Sequence, residues 1–128
     1  MKKLVLSTLA IALSFSTISA TNLHKAPVES TVNYSVKISA FCSLIKEGNY
    51  EAVKSLIENG TNINRKSTGL TPLMFAARYN KTEIVKLLIS KGAKLKTKSE
   101  RGGFTALQYA KMSKATESYN LISEALKK

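Results

Sequence analysis

The chain has 128 residues, 44% of them hydrophobic, a size that sets one compact domain with a real but modest core. Lys and Arg total 20 against 8 acidic residues, all Glu, and the formal charge of +12 forecasts anionic partners rather than any particular fold. One His (His24), one Cys (Cys42) and no Asp leave neither a catalytic set nor a metal-ligand spacing, so the composition argues against an enzyme and against a structural metal.

Residues 1–20 stand apart. Met1-Lys2-Lys3 is a short cationic start, residues 4–18 carry no charge and many Leu, Ile, Val and Ala, and Ile18-Ser19-Ala20 ends on a small residue. The pattern predicts a secretory signal peptide cut after Ala20, and with it a periplasmic or secreted protein. A retained anchor fits less well because Ser7, Thr8, Ser14, Ser16 and Thr17 dilute the apolar run. A lipoprotein signal would need a Cys directly after that run, and Cys42 lies far downstream. Residues 21–37, with Pro27, Ser30, Thr31 and Asn33, show no helical period and read as a linker.

From residue 38 onward the chain repeats. Residues 49–60 and 81–92 share Glu, Val, Lys, Leu, Ile and Gly at an offset of 32, and residues 69–77 match 103–110 at an offset of 34. A weaker third copy of the first pattern begins at Glu117. A period near 33 therefore gives units of about 38–68, 69–102 and 103–128. In the central unit Thr71 is placed to cap a helix opening at Pro72, Ala76 and Ala77 let a neighbour come close, and the chain breaks near Asn80. A second helix runs from about Thr82 to Ser90, and Gly92 stops it. Such a pair cannot bury its own apolar surface, so the pairs must stack, with Leu56, Ile57, Val85, Leu88, Leu121 and Ile122 expected in the core. Cys42 sits in an apolar stretch and is expected to be buried and inert. Ser39-Ala40-Phe41-Cys42 is a poor copy of the Thr-Pro-Leu segment, which leaves the first unit the least secure.

Gly-Leu-Thr-Pro-Leu-Met-Phe-Ala-Ala at 69–77, Glu-Ile-Val-Lys-Leu-Leu-Ile at 83–89 and Gly-Ala at 92–93 resemble an ankyrin repeat. The resemblance covers about 90 of the 128 residues and implies an all-α ankyrin-repeat solenoid of about three stacked helix-turn-helix units with hairpin loops. It also implies no cofactor, no chemistry of its own, and protein binding on a concave face of hairpin tips and first helices. Carried onto this sequence, that face comprises Ser67, Thr68, Leu70, Arg78 and Tyr79 from the central unit. The hairpin adds Lys94, Lys96, Lys98 and Arg101, and the third unit adds Phe104, Met112 and Ser113. The family's usual His after Thr-Pro-Leu is Met74 here and Gln108 in the third unit, so a hydrogen bond between loops is expected to be lost or replaced. Residues 99–103 carry roughly one extra residue relative to the consensus.

Between Arg65 and Arg101 there are ten Lys or Arg and two Glu. That excess is either the footprint of an acidic partner or a solvated, solubilising surface, and the sequence holds both readings open. An acidic protein fits the family's work, with accessory service to an exported enzyme as one use. The rival is an electrostatic adaptor for anionic envelope lipid or polyanion. Nucleic acid fits less well, since no reader motif is present and export removes the usual substrate. Tyr79 and Phe104 are either interface anchors or packed locally against the hairpin.

Overall fold

Residues 37–128 are the part of the chain that the computed structural model describes. They hold six α-helices in three pairs and, among the described residues, no strand. The pairs are α1 (Ala40–Glu47) with α2 (Tyr50–Glu58), α3 (Pro72–Arg78) with α4 (Thr82–Ser90), and α5 (Ala106–Met112) with α6 (Thr116–Lys127). The signal-peptide reading, His24 and the linker up to residue 36 lie outside the described residues.

Each first helix starts on a hydroxyl. Thr71 Oγ1 accepts from Met74 N at 3.2 Å, Thr105 Oγ1 from Gln108 N at 3.3 Å, and Ser39 Oγ from Cys42 N at 3.3 Å. These bonds satisfy amide donors that a helix start otherwise leaves unpaired. The first unit therefore opens as the others do, because a cap needs a hydroxyl and an extended backbone rather than the full Thr-Pro-Leu signature. The residues standing in for the family's His act within their own units. Met74 Sδ accepts from Thr71 N at 3.3 Å, and Gln108 Oε1 accepts from Thr105 N at 2.8 Å. Ties between neighbouring loops come from elsewhere: Ser39 N donates to Ser67 Oγ at 2.8 Å, Lys94 N to Asn64 Oδ1 at 2.9 Å, and Glu100 N to the Gly69 carbonyl at 3.0 Å.

The turn joining the helices of each pair passes through one left-handed residue: Gly48 (φ 81°), Asn80 (φ 52°) and Lys114 (φ 58°). Glycine takes this conformation without penalty and asparagine tolerates it. Asn80 has a second task, since its Oδ1 accepts from the backbone N of Ser118 at 3.2 Å and from the Ser118 hydroxyl at 2.8 Å. Ser118 is fully buried at the start of α6. The polar pair thus fixes the third unit on the second. Asn80→Ala is expected to cost about 1–3 kcal/mol by leaving a buried hydroxyl unpartnered. Asn80→Gly, which relaxes the backbone but also removes the acceptor, is expected to lose stability too; urea denaturation reads both.

First helices pack side by side, with α3 between α1 and α5, and second helices likewise, with α4 between α2 and α6. Ala76, Ala77 and Ala110 are fully buried and permit the close approach of the first layer. Ile84, Val85, Leu88 and Ile122 are buried in the second. Leu56, Ile57 and Leu121, expected in the core, are only half-buried. The reason is position: α4 has a second helix on each side, whereas α2 and α6 each have one.

Cys42 lies on the buried face of α1. Burial pushes its thiol above the ordinary value of 9.0, against a smaller opposing pull from the hydrogen bond with Ser39. The thiol is therefore neutral and shielded at pH 8, and its alkylation by iodoacetamide is expected to track the small fraction of open molecules. The linkage has a definite sign. An acid whose folded pKa is raised favours the fold below its unfolded pKa, and that stability is lost as pH climbs from about 9 through the folded value.

Candidate binding surface

Three large hydrophobic side chains are exposed among the described residues: Tyr79 and Phe104 at 37% and Met112 at 53%. All three belong to the set expected to face a partner. Tyr79 is the C-cap of α3, and Ser113 holds the same place after α5. Arg78 and Met112 are the last residues of those helices, at one common offset from the caps Thr71 and Thr105. Lys46 stands at the same offset from Ser39 in α1. Because α1, α3 and α5 lie side by side, these ends form one row. Across it Lys46 Nζ sits 5.4 Å from the Tyr79 ring centre and Arg78 Cζ 5.9 Å. Cation–π attraction at such exposed geometry contributes roughly 0.5–1 kcal/mol per pair, enough to bias the ring without burying it. Lys46 was not among the residues read from the sequence; its offset from the cap was the available signal.

The two hairpins differ. Ser67 and Leu70 exchange backbone bonds of 2.8 and 3.1 Å around Thr68 (φ 54°) and Gly69 (φ 84°), a two-residue turn with positive φ at both central positions. In the next hairpin Ser99 N donates to the Phe104 carbonyl at 2.9 Å, so residues 100–103 form a wider tip. Ser99 organises that tip from a buried position. Its hydroxyl accepts from Phe104 N at 3.0 Å and from the Tyr109 hydroxyl at 3.1 Å, and donates to the Arg101 carbonyl at 2.8 Å. Phe104 meets Tyr109 edge-on, with ring centres 5.9 Å apart. It also covers Gly102, where an added Cβ would lie 2.5 Å from the ring. Half of the alternative posed for the aromatics is thereby visible: Phe104 is packed against its own hairpin, while Tyr79 has Lys46 and Arg78 over its ring. Ser99 and Gly102 were missed, because only the fold brings Tyr109 to Ser99.

Residues 94–101, read from sequence as one basic hairpin, fall into two places. The Ser99–Phe104 bond closes the hairpin at Ser99, which leaves Arg101 in the tip and Lys94, Lys96 and Lys98 in the loop leading to it. Lys94 and Lys96 face Ala125 and Leu126 of α6 rather than the row of first-helix ends. Ser67 and Thr68 line a cleft of about 590 Å³ together with Lys37, Arg65 and Lys66. Leu70 is half-buried and packs on the core. The described residues hold no group of three His, Cys, Asp or Glu able to share a metal ion. None of their helices is long and apolar enough to cross a membrane.

Residues 40–127 match the family model for ankyrin repeats, in three copies. The chain belongs to the ankyrin-repeat family. Ankyrin repeats are protein–protein interaction modules, and an all-α ankyrin solenoid is what the six helices build. Among its relatives is the putative ankyrin repeat protein FPV031 of fowlpox virus (strain NVSL), 38% identical over 68 residues, which cover 51% of this chain and 20% of that protein. Another is the M-phase phosphoprotein 8 of Rattus norvegicus, 38% identical over 52% of this chain and 8% of that protein. The chain thus spans a fifth or less of these relatives' length. Among solved structures it is similar to a chain in the complex of the predatory endopeptidase Bd0816 from Bdellovibrio bacteriovorus with immunity protein Bd3460. That similarity has a TM-score of 0.65 and 35% identity, over 70% of this chain and 47% of that one. The ankyrin repeat domain of human ASB11 is similar at a TM-score of 0.63 and 25% identity, over 68% of this chain and 39% of that one.

Proposed function

We propose that this ankyrin-repeat chain is an exported module that holds an acidic protein partner on the face made by its first-helix ends and hairpin tips, as an accessory or protective subunit to an exported enzyme. The observation that carries the reading is Tyr79, exposed yet flanked by Lys46 and Arg78, with Met112 exposed in the next unit at the place that Arg78 holds in the central one. Aromatic, Met and Arg side chains that remain in water on a rigid scaffold are the composition of an interface core. The surrounding positive charge raises the rate of encounter with an acidic partner and disfavours basic ones. Export is supported by the cationic start and apolar run of residues 1–20. Service to an enzyme is supported by the likeness to a chain from the complex of an endopeptidase with an immunity protein.

The test begins with the protein in its own cells. Fractionation with intact-mass measurement should find it in the exported fraction starting near Thr21, and mild cross-linking should join it to one acidic protein at a fixed ratio. A full-length chain retained inside the cell, running as a free monomer after cross-linking, would contradict the reading.

A further inference from the structure

We propose that the groove between the 94–98 loop and the last turn of α6 is a second docking surface, built for an anionic lipid surface. It is chemically unlike the face around Tyr79 and does not depend on it. The groove exists because α6 runs for 12 residues where α2 and α4 run for 9. Its additional turn carries Ala125 and Leu126, which lie across from Lys94, Leu95, Lys96 and Thr97 and enclose about 570 Å³.

The floor is apolar and only half-buried, formed by Leu95, Ala125 and Leu126. The rim carries the exposed Lys94 and Lys96, and three further exposed lysines are near in sequence: Lys98 in the same loop, Lys127 in the last turn of α6 and Lys128 as its C-cap. The acid in that last turn, Glu124, lies 3.6 Å from Lys127 and offsets one charge of the five.

Composition decides between a protein and a lipid occupant. Protein interfaces favour Arg, Met and aromatic residues and are depleted in Lys. The Tyr79 face has the first set, and this groove has lysines alone around aliphatic side chains. An ammonium on a flexible stem acts as a point charge and lacks the planar fork that recognises a single carboxylate. Several such charges beside a shallow apolar strip suit a plane of anionic headgroups, where the lysines meet phosphates and the strip meets the acyl boundary.

The test is co-sedimentation of the protein purified from its producing cells with vesicles of phosphatidylglycerol and phosphatidylcholine, against phosphatidylcholine alone. The expected result is binding to the anionic vesicles only. Each lysine near such a surface contributes about fivefold, so Lys94→Ser, Lys96→Ser and Lys98→Ser together should weaken binding on the order of a hundredfold. Leu126→Ser should weaken it severalfold at unchanged helicity, and Tyr79→Ala with Met112→Ala should leave it unaltered. Equal binding to both vesicles, retention of binding by the triple lysine variant, or loss in the Tyr79 and Met112 variant would each overturn the proposal. The first two outcomes leave the partner reading untouched, since it rests on Tyr79 and Met112; the third would place the lipid on the face assigned to the protein partner and count against both readings.

Discussion

Leu88→Ala is expected to destabilise the stack by about 2–5 kcal/mol, the range for a fully buried leucine whose neighbours cannot collapse onto the void. Leu88 is fully buried in α4, the second helix with a second helix on each side. α4 is packed against α2, α3 and α6, which belong to all three units, so relaxation around a cavity in it is limited. For a folded region of this size, 1 kcal/mol shifts Tm by about 4–8 °C, so the variant is expected to melt roughly 8 °C or more below the parent. Leu121→Ala is the control: Leu121 is half-buried on the terminal helix α6, and its truncation is expected to cost clearly less. Thermal melts followed at 222 nm decide the matter. Equal losses for the two variants would mean that the layers do not bury α4 as described.

Tyr79→Ala is expected to reduce affinity for the protein partner by at least about 2 kcal/mol, roughly thirtyfold in Kd, with little change in stability. The two halves of that expectation have separate causes. Affinity falls because the ring is the large rigid side chain at the centre of the row formed by Lys46, Arg78 and Met112. Stability is expected to hold because the ring borders solvent at the end of α3 and its contacts with Lys46 and Arg78 are exposed cation–π pairs worth roughly 0.5–1 kcal/mol each. Phe104→Ala should behave in the opposite sense, loosening the hairpin through loss of its contacts with Tyr109 and Gly102. Calorimetric titration of the isolated partner, paired with urea denaturation of each variant, separates the two roles. Loss of both stability and affinity in the Tyr79 variant would make the ring a structural residue.

What the sequence made legible was whatever repeats locally. Thr71 before Pro72 and Gly92 after an apolar helix act within one unit, the alanines at 76 and 77 mark a close approach by their size alone, and recurrence of the pattern near a period of 33 implies the stack. Even the weak first unit obeys the same chemistry, since Ser39 caps α1 as Thr71 caps α3. What stayed hidden depends on contacts between units. Asn80 reads as a turn residue until Ser118 is placed against it, and Ser99 as a loop serine until Tyr109 reaches it. The basic stretch misleads for the same reason. Sequence adjacency joins Lys94 to Arg101, whereas hairpin closure at Ser99 and the long α6 set them in different surroundings. For the proposed partner face the family resemblance supplied positions; exposure set Leu70 apart as half-buried, and the contacts of Phe104 with Tyr109 and Gly102 set it apart from Tyr79 and Met112.

The central claim is that a protein partner sits on the first-helix ends. It is tested most directly by placing a photo-reactive phenylalanine analogue at position 79, at position 112, or at position 86 on the exposed face of α4, and irradiating living cells. Adducts to one and the same acidic protein from positions 79 and 112, and none from 86, are the expected result. An adduct from position 86 as strong as that from 79, or no adduct from either 79 or 112, would contradict it.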